Sequence, residues 1–327
     1  MARKNTRQRS FADDMLIEHK ALRELDDIHG LIDWARIDAL LDDVHNFEEG
    51  NLAYPPLMKF KALLLQSWYQ LSDPKLESQL ARDLLFRRFV GLSISGEVPY
   101  HTTFVRFRAT LREKGLFDTL FAEINRQLTQ QAIIIKTGQI SIIDATVTEA
   151  HQSRPRKDKS GNNTQDTEAG HNVKTAANGK QTFTYGFKNH VNVEEDGFVT
   201  AFEVTAGNVH DSQVFEQLID KTTAAAYADS AYASAAHDAW LAEHNIENRI
   251  IARAYRNKPL TEAQKQQNRL NSTVRATVER VFGIMKLHFG MTKTKYLGLA
   301  RNRAHLCMVA IAYNLKRAVT IRMQTTA

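Results

Sequence analysis

Between residues 11 and 131 apolar positions recur every three or four residues. The stretches LIDWARIDALLDDV, PPLMKFKALLLQSWYQL and DPKLESQLARDLLFRRFVGL each gather one apolar stripe, so this region is predicted to be helical. Asp73 before Pro74 predicts an N-cap and a first-turn proline, with Glu77 near the capping-box position. Pro99 and the segment HTTFVRFRATLREKGLFDTLFAEINRQL predict two helices broken at Gly115, the first capped by Thr102 or Thr103. In that helix Arg106, Arg108 and Arg112 accompany Phe104 and Phe107, an arrangement like a helix-turn-helix with basic residues turned to DNA.

After Lys136, Thr137 and Gly138 the period shortens to two. QISIIDATV predicts a buried strand ending in an acid. Residues 151–182 hold almost no aliphatic side chains and predict an exposed polar loop. FTYGFKNHVNVEEDGFVTAFEVTAG predicts two strands joined at Glu195, Asp196 and Gly197. DSQVFEQLID predicts a helix with an Asp cap, AAAYADSAYA a strand stopping at an acid, AAHDAWLAEHN a helix and NRIIARAY a strand. Residues 261–289 return to helical spacing. The order β-β-β-α-β-α-β-α predicts a mixed sheet covered by helices. The expected division is a helical N-terminal domain over 1–135 and an α/β domain over 136–327.

A chain of 327 residues suits two domains, and 43% hydrophobic with 24% charged residues excludes wholesale disorder. The single cysteine, Cys307, excludes a disulfide framework or a cysteine zinc module and predicts a buried thiol in a reducing compartment. The basic N-terminus leads into no apolar segment, and the apolar run at 306–313 is far short of the ~20 residues a membrane span needs. A soluble cytoplasmic protein is expected, with no membrane partner. The net charge of +6 is unevenly spread. Arg3, Lys4, Arg7 and Arg9 meet no acid in residues 1–10, whereas residues 11–50 hold twelve acids against three basic residues. From 249 to 322 sixteen basic residues face only Glu262 and Glu279. Such segments fit a polyanionic partner, or a merely solvated basic face.

Asp144 and Asp229 each end an apolar strand, where sheets collect ligand sites. If their strands are neighbours, two carboxylates meet in one cleft, and a hard divalent cation offsets their repulsion. Each alone also reads as a turn or helix cap. Glu279 lies mid-helix beside the core stripe Val274, Val278, Val281 and Met285. Arg275 and Lys286 share a second stripe with it, either a surface salt-bridge row or a metal ligand between two phosphate-holding cations.

The motifs IIDATVTEA, YGFKNHVNV, VTAGNVHDS, YADSAY and VRATVERVFGIMK together resemble the DDE transposases of bacterial insertion sequences, specifically insertion-sequence family five within the family-four superfamily. Arg275, Glu279 and Lys286 fit that family's Tyr-x2-Arg-x3-Glu-x6-Lys signature, with Ser272 at the tyrosine position. The resemblance implies a ribonuclease H-like catalytic domain after an all-helical N-terminal one. It implies that Asp144, Asp229 and Glu279 bind two Mg²⁺ or Mn²⁺ ions for phosphoryl transfer, cutting donor DNA and joining 3′-hydroxyl ends to target DNA. Double-stranded DNA, both element ends and target, is the implied partner, with a homodimer in the synaptic complex and association with the bacterial nucleoid. No covalent protein–DNA step is needed, so Tyr185, Ser230 and Tyr232 receive no nucleophilic role. The alternatives are a transposase-derived DNA-binding protein or repressor without catalysis, and a metal-dependent nuclease of the same fold.

Lys188 and His190, two apart in one strand, share a sheet face; with the adjacent strand carrying Asp144, they are candidates for DNA contact or a merely exposed face. Asp211 reads as a helix cap. The tail cations Arg3, Lys4, Arg7 and Arg9 and the loop cations Arg154, Arg156, Lys157, Lys159, Lys174 and Lys180 suit sequence-independent backbone contacts. Base contacts at the element ends are placed on Arg106, Arg108 and Arg112.

Overall fold

A computed structural model describes residues 3–6, 11–15, 19–44, 52–134, 139–154, 156–161, 164–175, 178–255 and 259–326. The chain forms two compact units: residues Met1–Ile133 with Cys307–Ala327, and residues Ile134–Leu306.

The first unit is helical: α1 (Phe11–Asp14), α2 (Asp26–Leu31), α3 (Trp34–Leu40), α4 (Pro56–Trp68), α5 (Asp73–Arg82), α6 (Leu84–Val90), α7 (His101–Glu113) and α8 (Leu116–Gln130). Helix α4 is buried along almost its whole length, including Lys59 and Lys61. Lys61 Nζ lies 4.3 Å from the centre of the Trp34 ring and Lys59 Nζ 4.8 Å from that of Phe107, so aromatic faces take the buried cations. Two expected caps move. Ser72, not Asp73, accepts the Lys75 N–H and caps α5. Neither Thr102 nor Thr103 caps α7; the Glu77 carboxylate accepts the His101 N–H at 2.6 Å from across the unit.

The C-terminal boundary also differs from the expected 136–327 domain. Helix α12 (Leu299–Thr326) passes to the first unit at Cys307. The reason is packing: the buried Cys307 thiol donates to the Phe117 carbonyl, Trp68 Nε1 to Ala312 and Asn314 Nδ2 to Asn125 Oδ1. Among the described residues no helix is long and apolar enough to cross a membrane.

The second unit is α/β. Strands β1 (Ile140–Glu149), β2 (Gly170–Thr175), β3 (Gln181–Val193), β4 (Val199–Ala206), β5 (Ala225–Tyr227) and β6 (Glu247–Asn248) form one mixed sheet in the order β2-β3-β1-β5-β6, with β4 also on β3. Helices α9 (Phe215–Leu218) and α10 (Ala235–Glu243) connect its second half, and α11 (Glu262–His288) follows. The expected hairpin is present as β3–β4, and Gly197 takes the left-handed φ of 84° that its turn requires. The expected polar loop is shorter than 151–182, because β2 pairs with β3 inside it. Gly186 explains how: it pairs with Glu149 on one edge of β3 and Gly170 on the other, and a Cβ there would overlap the Thr148 carbonyl. On one face of the sheet Ile143, Ala226 and Ala228 pack with Val214, Phe215, Leu218, Tyr232 and Leu241 into a closed core. The acids of interest lie on the other face.

Candidate active site

Strands β1 and β5 run parallel with Ile142 opposite Tyr227, and Asp144 and Asp229 each stand two residues beyond that pair. Asp229 lies just past the end of β5, whereas Asp144 is mid-strand in β1 and not at the expected strand end, because β1 continues to Glu149 against β3; with the same parity the two share a face. Asp229 is fixed by its own turn: its carboxylate accepts the Ala231 N–H at 2.8 Å and its carbonyl the Tyr232 N–H at 3.1 Å. The Tyr232 ring is buried in the core beneath, 5.6 Å from Phe215.

Helix α11 brings the third acid. A capping box between Thr261 and Gln264 starts it. Asn268 exchanges hydrogen bonds with both backbone groups of Ala252, and Asn271 donates to the Arg249 carbonyl, which anchors the helix beside the sheet. Of the expected stripe Val278, Val281 and Met285 are buried and Val274 is half-buried, and Phe282 joins them. Glu279 is then left 63% exposed, and Arg275 one turn earlier points inward. Arg275 Nη2 lies 3.1 Å from Asp144 Oδ2 and 4.0 Å from Glu279 Oε1.

The Asp144 carboxyl titrates near 6, above its ordinary 3.8. Burial is the main cause; Arg275 and the Ala145 N–H oppose it, and the negative charges of Asp229 and Glu279 add to it. Asp144 therefore feels the charge of both other acids. Among the described residues no three His, Cys, Asp or Glu side chains converge tightly enough to hold a metal ion. The donor chemistry fits a hard divalent cation, which three repelling carboxylate oxygens favour; in the structure the Arg275 guanidinium supplies the positive charge between Asp144 and Glu279. Lys286 lies two turns beyond Glu279. Its ammonium is held below the ordinary range by burial and then by the charge of Lys174, with Asp144 opposing.

Lys188 and His190 lie elsewhere. Asp144 faces Val191 across the β1–β3 ladder, whereas Lys188 faces Val147 and His190 faces Ala145, so both project from the opposite face of the sheet. Lys188 donates to the Val209 carbonyl at 2.7 Å and pairs with Asp211 at 2.8 Å. His190 is fully buried, with Nε2 2.9 Å from Thr205 Oγ1, and burial chiefly, then Lys188, lowers its pKa to about 4 against the pull of Asp211. A neutral, enclosed imidazole has no surface to offer a phosphate, which corrects the expected DNA contact. Asp211 is the counter-ion that the sequence reading missed; the cap expected of it is made by His210, whose ring accepts the Ser212 N–H.

The helical unit divides its cations in the same way. Arg106 is exposed. Arg108 instead forks onto Asp73 at 2.7 and 2.6 Å and onto Gln66 at 3.0 Å, a structural bond and not a reading head. Arg112 is partly exposed, 3.9 Å from Glu113. Arg3 reaches Asp42 at 2.9 Å and Lys4 reaches Glu97 at 2.6 Å, so both tail cations are matched within their own unit. Arg7 and Arg9 lie outside the described residues. Arg154, Arg156, Lys157, Lys159, Lys174 and Lys180 are exposed.

Two family models match the chain. That of the Transposase DDE domain matches residues 135–315, and that of the Transposase domain (DUF772) matches residues 12–110.

Proposed function

Because the chain belongs to the Transposase DDE domain family, a family of DNA transposases that implies metal-dependent nuclease and transferase chemistry, we propose that Asp144, Asp229 and Glu279 are its catalytic carboxylates. The observation that carries this assignment is the geometry: Asp144 and Asp229 share one face of the sheet, and Arg275 reaches both Asp144 and Glu279. These carboxylates would hold two Mg²⁺ or Mn²⁺ ions, which would supply activation of an attacking oxygen and charge stabilisation of a leaving 3′-oxygen.

The protein's own part is to place and charge the ligands. The Asp229 turn and the β1 register fix two carboxylates before DNA arrives, and α11 brings the third. Arg275 keeps Asp144 ionised, and its buried Nε has no hydrogen-bond partner among the described residues, a donor left for a phosphate oxygen. Lys286 offers a second cation on the same helix face. In this reading the protein cuts at the ends of an insertion sequence of family five and joins the 3′-hydroxyl ends to target DNA, as a homodimer that pairs two ends. Arg106 and Arg112 carry the end contacts of the helical unit, since Arg108 is committed to Asp73.

The test is joining of a labelled, pre-cleaved element end to plasmid DNA in Mg²⁺ or Mn²⁺ by wild type and by Glu279→Gln. Product from wild type alone supports the assignment. End binding without cleavage or joining by either protein supports the repressor reading. Equal joining by both moves the active site elsewhere.

A further inference from the structure

Beyond the carboxylate face, β2 and the first residues of β3 form a two-stranded arm that β1 no longer accompanies. From 170 to 193 the sequence contains Lys174, Lys180 and Lys188 and no acid. Among the described residues no carboxylate pairs with Lys174, Lys180 or Lys286. The register sorts the arm's side chains. Residues opposite each other in an antiparallel ladder share a face, so Tyr185 and Phe183 lie on the face of Val191, hence of Asp144. Their partners on β2, His171 and Val173, lie there too, as do Thr175 and Gln181.

The root of that face is tied down and its tip is bare. Tyr185 donates to the Asp166 carbonyl at 2.7 Å and its ring lies 4.8 Å from that of His171. Phe183 and Val173, directly opposite each other, are 64% and 47% exposed, and Gln181 and Thr175 beyond them are exposed as well. A stable fold gains nothing from a phenylalanine held in water at the end of a ribbon. An acid-free ribbon with unpaired lysines matches a polyanion, and a two-stranded ribbon fits the width of the DNA major groove. From Val191 to Phe183 the contour of β3 is eight residues, at most roughly 26 Å at about 3.3 Å per residue. On B-DNA at about 3.4 Å per base pair that reaches about eight base pairs from the cut.

We infer that the β2–β3 arm lies in the major groove of the duplex within about eight base pairs of the cleavage point and reads A·T pairs there. This inference rests on the reading of the chain as a DNA-end-cutting transposase. Phe183 and Val173 pack against thymine methyl groups, Gln181 presents the amide fork that matches adenine N6 and N7, and Lys174 and Lys180 take the flanking phosphates.

The experiment uses full-length protein in chelator, so that binding is read without catalysis. A duplex is selected by wild type from a randomised pool, then remade with uracil for thymine, which removes only the methyl groups. Wild type binds the uracil duplex about fivefold more weakly. Phe183→Ala binds the thymine duplex about fivefold more weakly than wild type and loses nothing further on uracil, while Phe183→Leu restores part of the difference. Gln181→Ala relaxes the base preference at one adenine. Lys174→Ala with Lys180→Ala weakens all duplexes alike and flattens the salt dependence. Unchanged melting temperatures show that the variants fold. Equal response of wild type and Phe183→Ala to uracil overturns the inference. A loss by Phe183→Ala confined to single-stranded oligothymidine also overturns it, because the ring then stacks on unpaired bases. Glu279→Gln, which keeps this discrimination but loses joining, separates the arm from the catalytic assignment: either can fail while the other stands.

Discussion

Arg108 and Arg275 were both expected to touch DNA, and both are found in an ion pair with an aspartate of nearly equal solvent access. The side chains are 15% and 19% exposed for Arg108–Asp73, and 13% and 18% for Arg275–Asp144. The chemistry of the two pairs is nonetheless opposite. Arg108 meets Asp73 with two short bonds, and Gln66 donates a third at 2.7 Å. Burial resists the charge on Asp73, yet these bonds hold its carboxyl below the usual carboxylate range. Arg275 reaches Asp144 through a single 3.1 Å contact, and burial pushes the Asp144 carboxyl up to about 6, with two further acids adding to it. One pair is a satisfied clamp within the helical unit. The other is a buried carboxylate beside two further acids with one guanidinium contact, the condition under which a site binds a cation in preference to stabilising the fold.

The comparison breaks first on activity. Asp144→Asn should reduce cleavage and joining on the order of a thousandfold, the scale on which removing one charge-stabilising group acts. Asp73→Asn should leave the activity per folded molecule unchanged. Single-turnover cleavage, normalised to the folded fraction, measures both. If Asp73→Asn costs as much as Asp144→Asn, the clamp is part of the site and the contrast is false.

Stability should then change in opposite directions. Arg108→Ala leaves a buried carboxylate with only Gln66 as partner and should cost about 3 kcal/mol, several degrees in Tm. The Asp73 pair contributes stability above the unfolded carboxyl value near 3.8, lost as pH falls through the lower folded value. For Asp144 the sign reverses. Its folded value is raised, so the associated stability is fully present below 3.8 and lost as pH rises through about 6. The interval corresponds to about 3 kcal/mol. In chelator, Asp144→Asn should therefore melt higher than wild type at pH 7–8, with the advantage vanishing by pH 4. Thermal melts across that range decide it, and a destabilised Asp144→Asn at pH 7.5 would show that the carboxylate is not under strain.

Why Asp144, Asp229 and Glu279 could be proposed together from the sequence, while the face of Lys188 could not be foreseen, is a matter of range. An acid directly after an apolar run is a local pattern, even though β1 continues past Asp144 to Glu149, and Glu279 sits at a fixed angle from Val278 and Val281 on one helix. The face on which Lys188 and His190 project depends on the pairing of Asp144 with Val191, a register set 47 residues away along the chain. Asp211 as counter-ion, Glu77 capping α7 and residues from Cys307 onward packing on α4 and α8 are likewise contacts between distant segments. Strand β2 was hidden for another reason: GHNVKT has little apolar content because its tip meets solvent on both sides. Gly186 in YGFKNH was the visible clue, since only a glycine lets Glu149 and Gly170 both approach.

The smallest expected effect is the most specific. Arg275 favours the charged form of Asp144, so Arg275→Ala should raise the Asp144 carboxyl above its present value near 6. A ligand must be ionised to hold a cation, and the acid limb of the pH profile of DNA cleavage should therefore move upward, by about one pH unit. Mn²⁺ affinity measured without DNA should follow the same displaced limb, which separates the effect from a lost phosphate contact. Arg275→Lys keeps the charge and should restore most of the displacement, though its single ammonium cannot fork between Asp144 and Glu279. Stability should change far less than for Arg108→Ala, because Asp144 can take up a proton where Asp73 cannot readily do so. A limb that stays in place, with only the maximal rate reduced, would mean that Arg275 serves the DNA alone and that the guanidinium between the two acids has no hold on their charge.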